Sequence, residues 1–291
     1  LVAAGLAQAV SLAWPFEGIF KGEPQGWLQC VSLAILAAFV DRSRSAQQAF
    51  TQTWVFALAW LLGSIWWLFI SMNRYGGLSA PVAALAVGLM AAGLALFYGT
   101  AGAVYHAVCK TGVGVAARAS AFASVWGLAE MVRGTLWTGF PWGAVGYAHV
   151  DSLLQHWAPW VGVYGLCAVS AFMAMAVAAE RHNHRPASRA TQLGVIALVA
   201  LLGYTWFTSP SRNASDDVLS AKPLRVTLLQ GNIPQDLKFG EGVNRALHDY
   251  REALLSSTSD LTVTPETAIP LIQQQMPDRY WHQLETHFSK G

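Results

Sequence analysis

The stretch TSPSRNASDDVLSAKP, residues 208–223, decides how this chain is read, because the texture of the sequence changes across it. Its Ser, Asp, Asn and Pro residues carry no apolar period, which is the composition of a linker between domains. Before it, long apolar runs alternate with short polar or Gly/Pro-rich breaks. After it comes LRVTLLQ (224–230), a short β-rich run stopped by Gly231, and then GVNRALHDYREALLSS (242–257), with apolar residues at helical spacing.

Composition supports the same division. The 291 residues are 54% hydrophobic and only 12% charged, with thirteen Trp. A soluble globular chain is about 25% charged, so half that figure points to a membrane protein. Up to Thr208 ten basic side chains face six acidic ones, a net of +4; the remaining residues hold eight basic and ten acidic, a net of −2 at far higher density. The expected organisation is therefore a transmembrane domain over 1–208, a linker over 209–223 and the start of an α/β domain over 224–291.

Helices are expected near 1–14, 26–40, 52–71, 80–108, 116–137, 158–179 and 191–208, about seven in all, several of them near the roughly 20 residues that a bilayer crossing needs. The run LVAAGLAQAVSLAW (1–14) includes AQA, like a signal cleavage site. It has no basic flank and further apolar spans follow, so it is read as a transmembrane helix missing its start. Cations mark orientation. Arg42 and Arg44, Lys110 and Arg118, and Arg181, Arg185 and Arg189 fall on alternate connections, whereas Lys21 and Arg74 are the clear cations of the others. The positive-inside bias makes the seven-cation side cytoplasmic and the tail after Thr208 extracytoplasmic.

In the tail, LRVTLLQ, the helix 242–257, LTV (261–263) and a helix over 277–288 give strand, helix, strand, helix, too few elements for two packed layers. Functional groups in open α/β folds gather beyond the carboxyl ends of strands. Glu266 lies three residues after LTV, and Gln230, Gly231 and Asn232 end the first strand. Glu266 is either a turn glutamate or a base. As a base it is expected to be partly desolvated among Ala268, Ile269 and Pro270, which favours proton uptake.

Within the membrane part, Glu130 and Arg133 stand three apart on one helix and can pair, which lowers the cost of both charges. The expected role is a structural ion pair near the outer interface. TGFPWG (138–143) then breaks the helix and keeps Phe140 and Trp142 apolar, as an interfacial re-entrant turn, an aromatic anchor or a lipid-facing wall. Trp206 and Phe207 stand where the last helix leaves the membrane. Cys30, Cys109 and Cys167 are isolated in apolar surroundings, and the histidines of RHNHR (181–185) read as a solvated loop, so no metal site is expected.

Four stretches in order, AEMVRGTLWTGFPWGAVGY, WFTSP, LLQGNIPQDLKF and PETAIP, behind a multi-span membrane domain, resemble the apolipoprotein N-acyltransferase family. The resemblance implies a bacterial inner-membrane protein whose soluble part is a periplasmic nitrilase-like αββα sandwich, present here only in its first portion. It implies transfer of a fatty acyl chain from a phospholipid donor to the α-amino group of the diacylglyceryl cysteine of an apolipoprotein. The route it implies is a Glu-Lys-Cys triad and a thioester acyl-enzyme, with no cofactor and no nucleic-acid partner. By the same resemblance Glu266 is the proton acceptor and Trp206 an aromatic near the substrate entrance; Phe140 and Trp142, read above as a lipid-facing wall, join Trp206 as lipid-positioning candidates. Thr264 stands where the family often has an aromatic residue. The family's lysine and cysteine have no match before Gly291, so this chain alone is expected to be inactive. A membrane-anchored nitrilase-like amidase and a transporter with an appended domain are the alternative readings.

Overall fold

The computed structural model describes residues 1–18, 20–109, 113–182, 223–233, 242–266, 268–277 and 279–289. The chain divides into two compact units, Leu1–Ser209 and Pro210–Gly291.

Among the described residues the first unit is helical: α1 Val2–Val10, α2 Gly26–Asp41, α3 Ala46–Ile65, α4 Trp67–Ile70, α5 Ala80–Val108, α6 Val115–Thr135 and α7 Ala158–His182. Two 3-10 turns, Val145–His149 and Leu153–Trp157, join α6 to α7. Local chemistry sets the ends. Helix α1 stops before residue 14 because the backbone of Trp14 pairs with Gly22 and Glu23 across a loop instead of continuing the helix. Helix α3 starts earlier than the apolar pattern indicates, since Ser45 caps it by accepting from the Gln48 amide at 3.1 Å while the Gln48 side chain accepts from the Arg44 amide at 2.8 Å. A bend of 48° separates α3 from the Trp67–Tyr75 segment, which closes in a π turn.

Among the described residues, α5 and the Leu153–Glu180 stretch are long and apolar enough to cross a membrane, and the bent α3–α4 pair makes a third candidate. Among the described residues, three of the other expected spans fall short of that length or apolarity. Helix α1 has nine residues and α2 sixteen, and α6 carries Arg118, Glu130 and Arg133 within its length. The helix expected at 191–208, with Trp206 and Phe207, lies outside the described residues, as does most of the linker.

Helix α5 packs on α3 along small residues, in a row from Ala83 through Ala91, Ala95 and Gly99 to Gly102, all buried. Lipid gives no hydrophobic drive between helices, so close backbone approach through small residues supplies the attraction. A Cβ on Gly102 would lie 2.3 Å from Thr53 Oγ1 and 2.8 Å from the Ala49 carbonyl. Thr53 in turn donates to that carbonyl at 2.9 Å, satisfying its hydroxyl inside the helix.

The second unit holds β1 Val226–Leu228, α8 Gly242–Ser256, β2 Leu261–Val263, a 3-10 turn Gln273–Gln275 and α9 Tyr280–Phe288. The strands form a parallel pair with Val226 opposite Leu261 and Leu228 opposite Val263. Leu247 and Leu254 of α8 pack against Tyr280 and Leu284 of α9. The strand residues Leu228 and Val263 stay exposed, so the described residues form a small two-stranded sheet and not a sandwich.

Replacing Gly102 with leucine is expected to destabilise the protein by about 2 kcal/mol through overpacking at the α3–α5 contact, read as a lower melting temperature in detergent; Gly88, with open space around it, tolerates the same change.

Candidate functional site

Two sets of residues carry chemistry, one in each unit. In the helical unit the centre is a buried ion pair: Arg133 Nη2 lies 3.0 Å from Glu130 Oε2, with both side chains fully buried. A helical spacing of three brings the two side chains to one face. Tyr98 of α5 joins them. Its hydroxyl donates to Glu130 Oε1 at 2.7 Å and accepts from Arg133 Nε at 2.6 Å. The remaining guanidinium nitrogen, Nη1, donates to the carbonyls of Phe140 at 2.5 Å and Trp142 at 2.9 Å. Arg133 therefore ties the TGFPWG segment to α6 and, through Tyr98, to α5. Around them Trp60, Tyr98, Trp126 and Phe122 form a ring cluster, with Trp60 and Tyr98 edge to face at 5.1 Å and the guanidinium carbon 5.6 Å from the Trp60 ring.

The loop that Arg133 holds has an unusual backbone. Trp137 adopts a left-handed conformation, φ 56°, and Gly139 follows at φ 71°. A Cβ at Gly139 would sit 2.1 Å from the Gly134 carbonyl, so only glycine fits. Phe140 and Trp142 split between two environments. Phe140 packs against the core, whereas Trp142 is exposed, as is Trp137, which is 90% exposed. Neighbouring this loop in sequence, His149 is buried with Nε2 3.1 Å from Gln29 Oε1 and Nδ1 3.1 Å from Ser152 Oγ. Burial pushes its pKa down to about 4, so the ring is neutral near pH 7.

In the second unit the parallel register places both strand ends at one edge. The Leu229 amide donates to the Val263 carbonyl at 2.9 Å, so Gln230–Asn232 and Thr264–Glu266 leave the sheet side by side. Asn232 takes a left-handed φ of 46°, tolerated by its short polar side chain. The Gly231 amide donates to the Tyr250 hydroxyl at 3.0 Å. Two residues beyond Glu266, Ala268 is buried with Ala246 and Tyr250 of α8. The loop is thus pinned while Glu266 itself is exposed. The partial desolvation expected for this carboxylate is absent among the described residues, since Ala268 turns inward, away from it. At the opposite edge Asp260 caps β1 by accepting from the Arg225 amide at 2.9 Å, and that hydrogen bond holds its carboxyl below the usual carboxylate range.

A family model described as apolipoprotein N-acyltransferase N-terminal domain matches residues 9–176, which include Tyr98, Glu130, Arg133 and the TGFPWG loop. The chain belongs to this family. The apolipoprotein N-acyltransferase of Verminephrobacter eiseniae is 43% identical over 304 residues, covering 99% of this chain and 54% of that protein. That of Ralstonia nicotianae is 40% identical over 265 residues, 90% of this chain and 49% of its own length. The Nitrosomonas europaea protein of the same name is 34% identical over 263 residues, 88% and 50% respectively. The chain spans about half the length of the curated relatives it matches.

Sequence reasoning missed Tyr98 and the carbonyl clamp. Tyr98 lies 32 residues from Glu130, beyond any local spacing rule; a tyrosine hydroxyl in an Ala- and Gly-rich apolar helix, one of two there with Tyr105, was the available signal. Among the described residues no group of His, Cys, Asp and Glu is placed to hold a metal ion.

Replacing Arg133 with methionine is expected to cost about 3–5 kcal/mol by leaving Glu130 buried and unpaired. Adding Glu130→Leu recovers much of that stability, and thermal melts of the three proteins check it. A second outcome concerns pH. Because His149 binds a proton more weakly folded than unfolded, its contribution to stability is complete above about pH 6.5, its unfolded value, and declines as pH falls toward 4. His149→Asn therefore melts with a shallower loss between pH 7 and pH 5 than the parent protein.

Proposed function

We propose that this chain is part of an enzyme that moves a fatty acyl group from a phospholipid to the α-amino group of the diacylglyceryl cysteine opening an apolipoprotein. The proposal extends to its setting in a bacterial inner membrane, with the second unit on the periplasmic face and forming the start of a nitrilase-like αββα sandwich. Family membership supports the reaction class. The described arginines Arg42 and Arg44 at the α2–α3 connection, with Arg118 in the first turn of α6, support the orientation.

In this reading Glu266 is the proton acceptor. It takes the proton of a cysteine thiol, and the thiolate attacks the phospholipid ester carbonyl. The ester C–O bond breaks, the lysophospholipid alkoxide leaves and takes up a proton, and the acyl group remains as a thioester. The incoming amine then attacks that thioester, loses a proton and regenerates the thiol. A thiolate is a far stronger nucleophile than a thiol, so the base must lie within hydrogen-bond reach of the sulfur. Trp206, Phe140 and Trp142 are assigned to lipid positioning, and Glu130 with Arg133 to holding the loop that carries two of them.

The observation that carries the proposal is the parallel pairing of β1 and β2, which sends the Glu266 loop and the Gln230–Asn232 turn out from one edge. A pinned backbone with an exposed carboxylate suits a base that must meet a group brought from elsewhere. In a full-length family member, the change equivalent to Glu266→Gln is expected to lower formation of the thioester acyl-enzyme from phospholipid at least 100-fold or so, measured by intact-protein mass. Undiminished acylation leaves Glu266 as a turn residue and removes the assignment.

A further inference from the structure

Away from the loop and the strand edge, a groove of about 470 Å3 runs between α2 and α7. Its walls are apolar: Cys30, Ala34 and Ala38 on α2, with Ala174 and Val177 on α7. Alanines create it by leaving space where larger side chains would fill the helix contact. At one end it is closed by Arg42, the residue that caps α2. The distance along α2 from Cys30 to Arg42 is about 18 Å at the usual helical rise, a little more than the ~15 Å depth of one leaflet's hydrocarbon.

Among the described residues the charge at that end has no acidic partner. Asp41, its neighbour in sequence, is engaged elsewhere: it accepts from Arg118 Nη1 at 2.9 Å and from the Tyr105 hydroxyl at 2.8 Å. Among the described residues no carboxylate pairs with Arg42, whose side chain is exposed. A one-leaflet apolar trough ending in an exposed guanidinium matches one ligand chemistry, an acyl chain joined to a phosphate. A guanidinium and a phosphodiester form charge-assisted, bidentate hydrogen bonds.

We propose that the α2–α7 groove binds an anionic diacyl phospholipid, with one acyl chain along Ala34 and Ala38 and the phosphate on Arg42. The site belongs to the leaflet at the Arg42 end and is independent of the acyl-transfer reading. Its occupant is a structural lipid and takes part in no covalent step.

The test places the chain in nanodiscs of equal phosphatidylglycerol and phosphatidylethanolamine and counts retained lipid by native mass spectrometry, with melts confirming that each variant is folded. The parent protein is expected to retain phosphatidylglycerol preferentially. Arg42→Gln lowers that preference about fivefold, Ala38→Phe lowers retention of both lipids by filling the trough, and Arg44→Gln, on the same loop but outside the groove, changes neither. An undiminished preference in Arg42→Gln overturns the proposal, as does an equal loss in Arg44→Gln, which marks diffuse surface charge. Displacement of the lipid by excess inorganic phosphate overturns it too, and so does an effect of Ala38→Phe on dimer mass alone, which makes the groove a contact between copies.

Discussion

The helical unit depends on one buried guanidinium. A charge removed from water survives only if every hydrogen-bonding direction is met by a partner. Arg133 directs hydrogen bonds to four acceptors from three parts of the chain: a carboxylate one turn away, a hydroxyl on α5 and two backbone carbonyls of the following loop. The cost of burial thereby becomes a constraint on geometry. Helix α6 cannot rotate, α5 cannot slide and the loop cannot relax without leaving a charge or a carbonyl unpaired in an apolar surrounding. The aromatic rings about the pair exclude water and strengthen it.

That constraint accounts for the loop's strained backbone. Left-handed Trp137 is unfavourable in isolation, and persists because Gly139 supplies the next positive φ without strain and Arg133 holds the carbonyls of Phe140 and Trp142. The result is a short rigid segment that turns Phe140 inward and leaves Trp137 and Trp142 exposed. At the opposite end of α6 a second set, Asp41 with Arg118 and Tyr105, repeats the logic at a less buried position. The two polar clasps, one near each end of α6, both reach the C-terminal half of α5.

The second unit works by a different principle. Its described strands and helices bury few side chains, yet backbone pairing fixes which strand ends meet. Parallel register, together with Ala268 beneath Tyr250, positions the loop of Glu266 without enclosing the carboxylate. Position and environment are separate requirements for a base. The described residues hold the loop in place, and the base role proposed for Glu266 needs a reacting group to come to it.

Much of this was legible in the amino-acid order. Apolar runs located the helices from 26 to 179, the charge split separated two kinds of material, and the spacing of Glu130 and Arg133 showed that they could meet, because each of these rests on neighbours within one or two helical turns. The caps at Ser45 and the loop pairing at Trp14 moved helix ends away from the apolar pattern, since hydrogen bonds and not hydropathy set termini. What the sequence determined by itself was the local: helical segments, a polar linker, a glutamate just past a strand. Only the tertiary structure decided that Tyr98 completes the ion pair, that Arg133 holds two distant carbonyls, that Glu266 stands exposed and that Asp41 turns from Arg42 toward Arg118. Those depend on which elements pack together, and no spacing rule reaches across 32 or 77 residues.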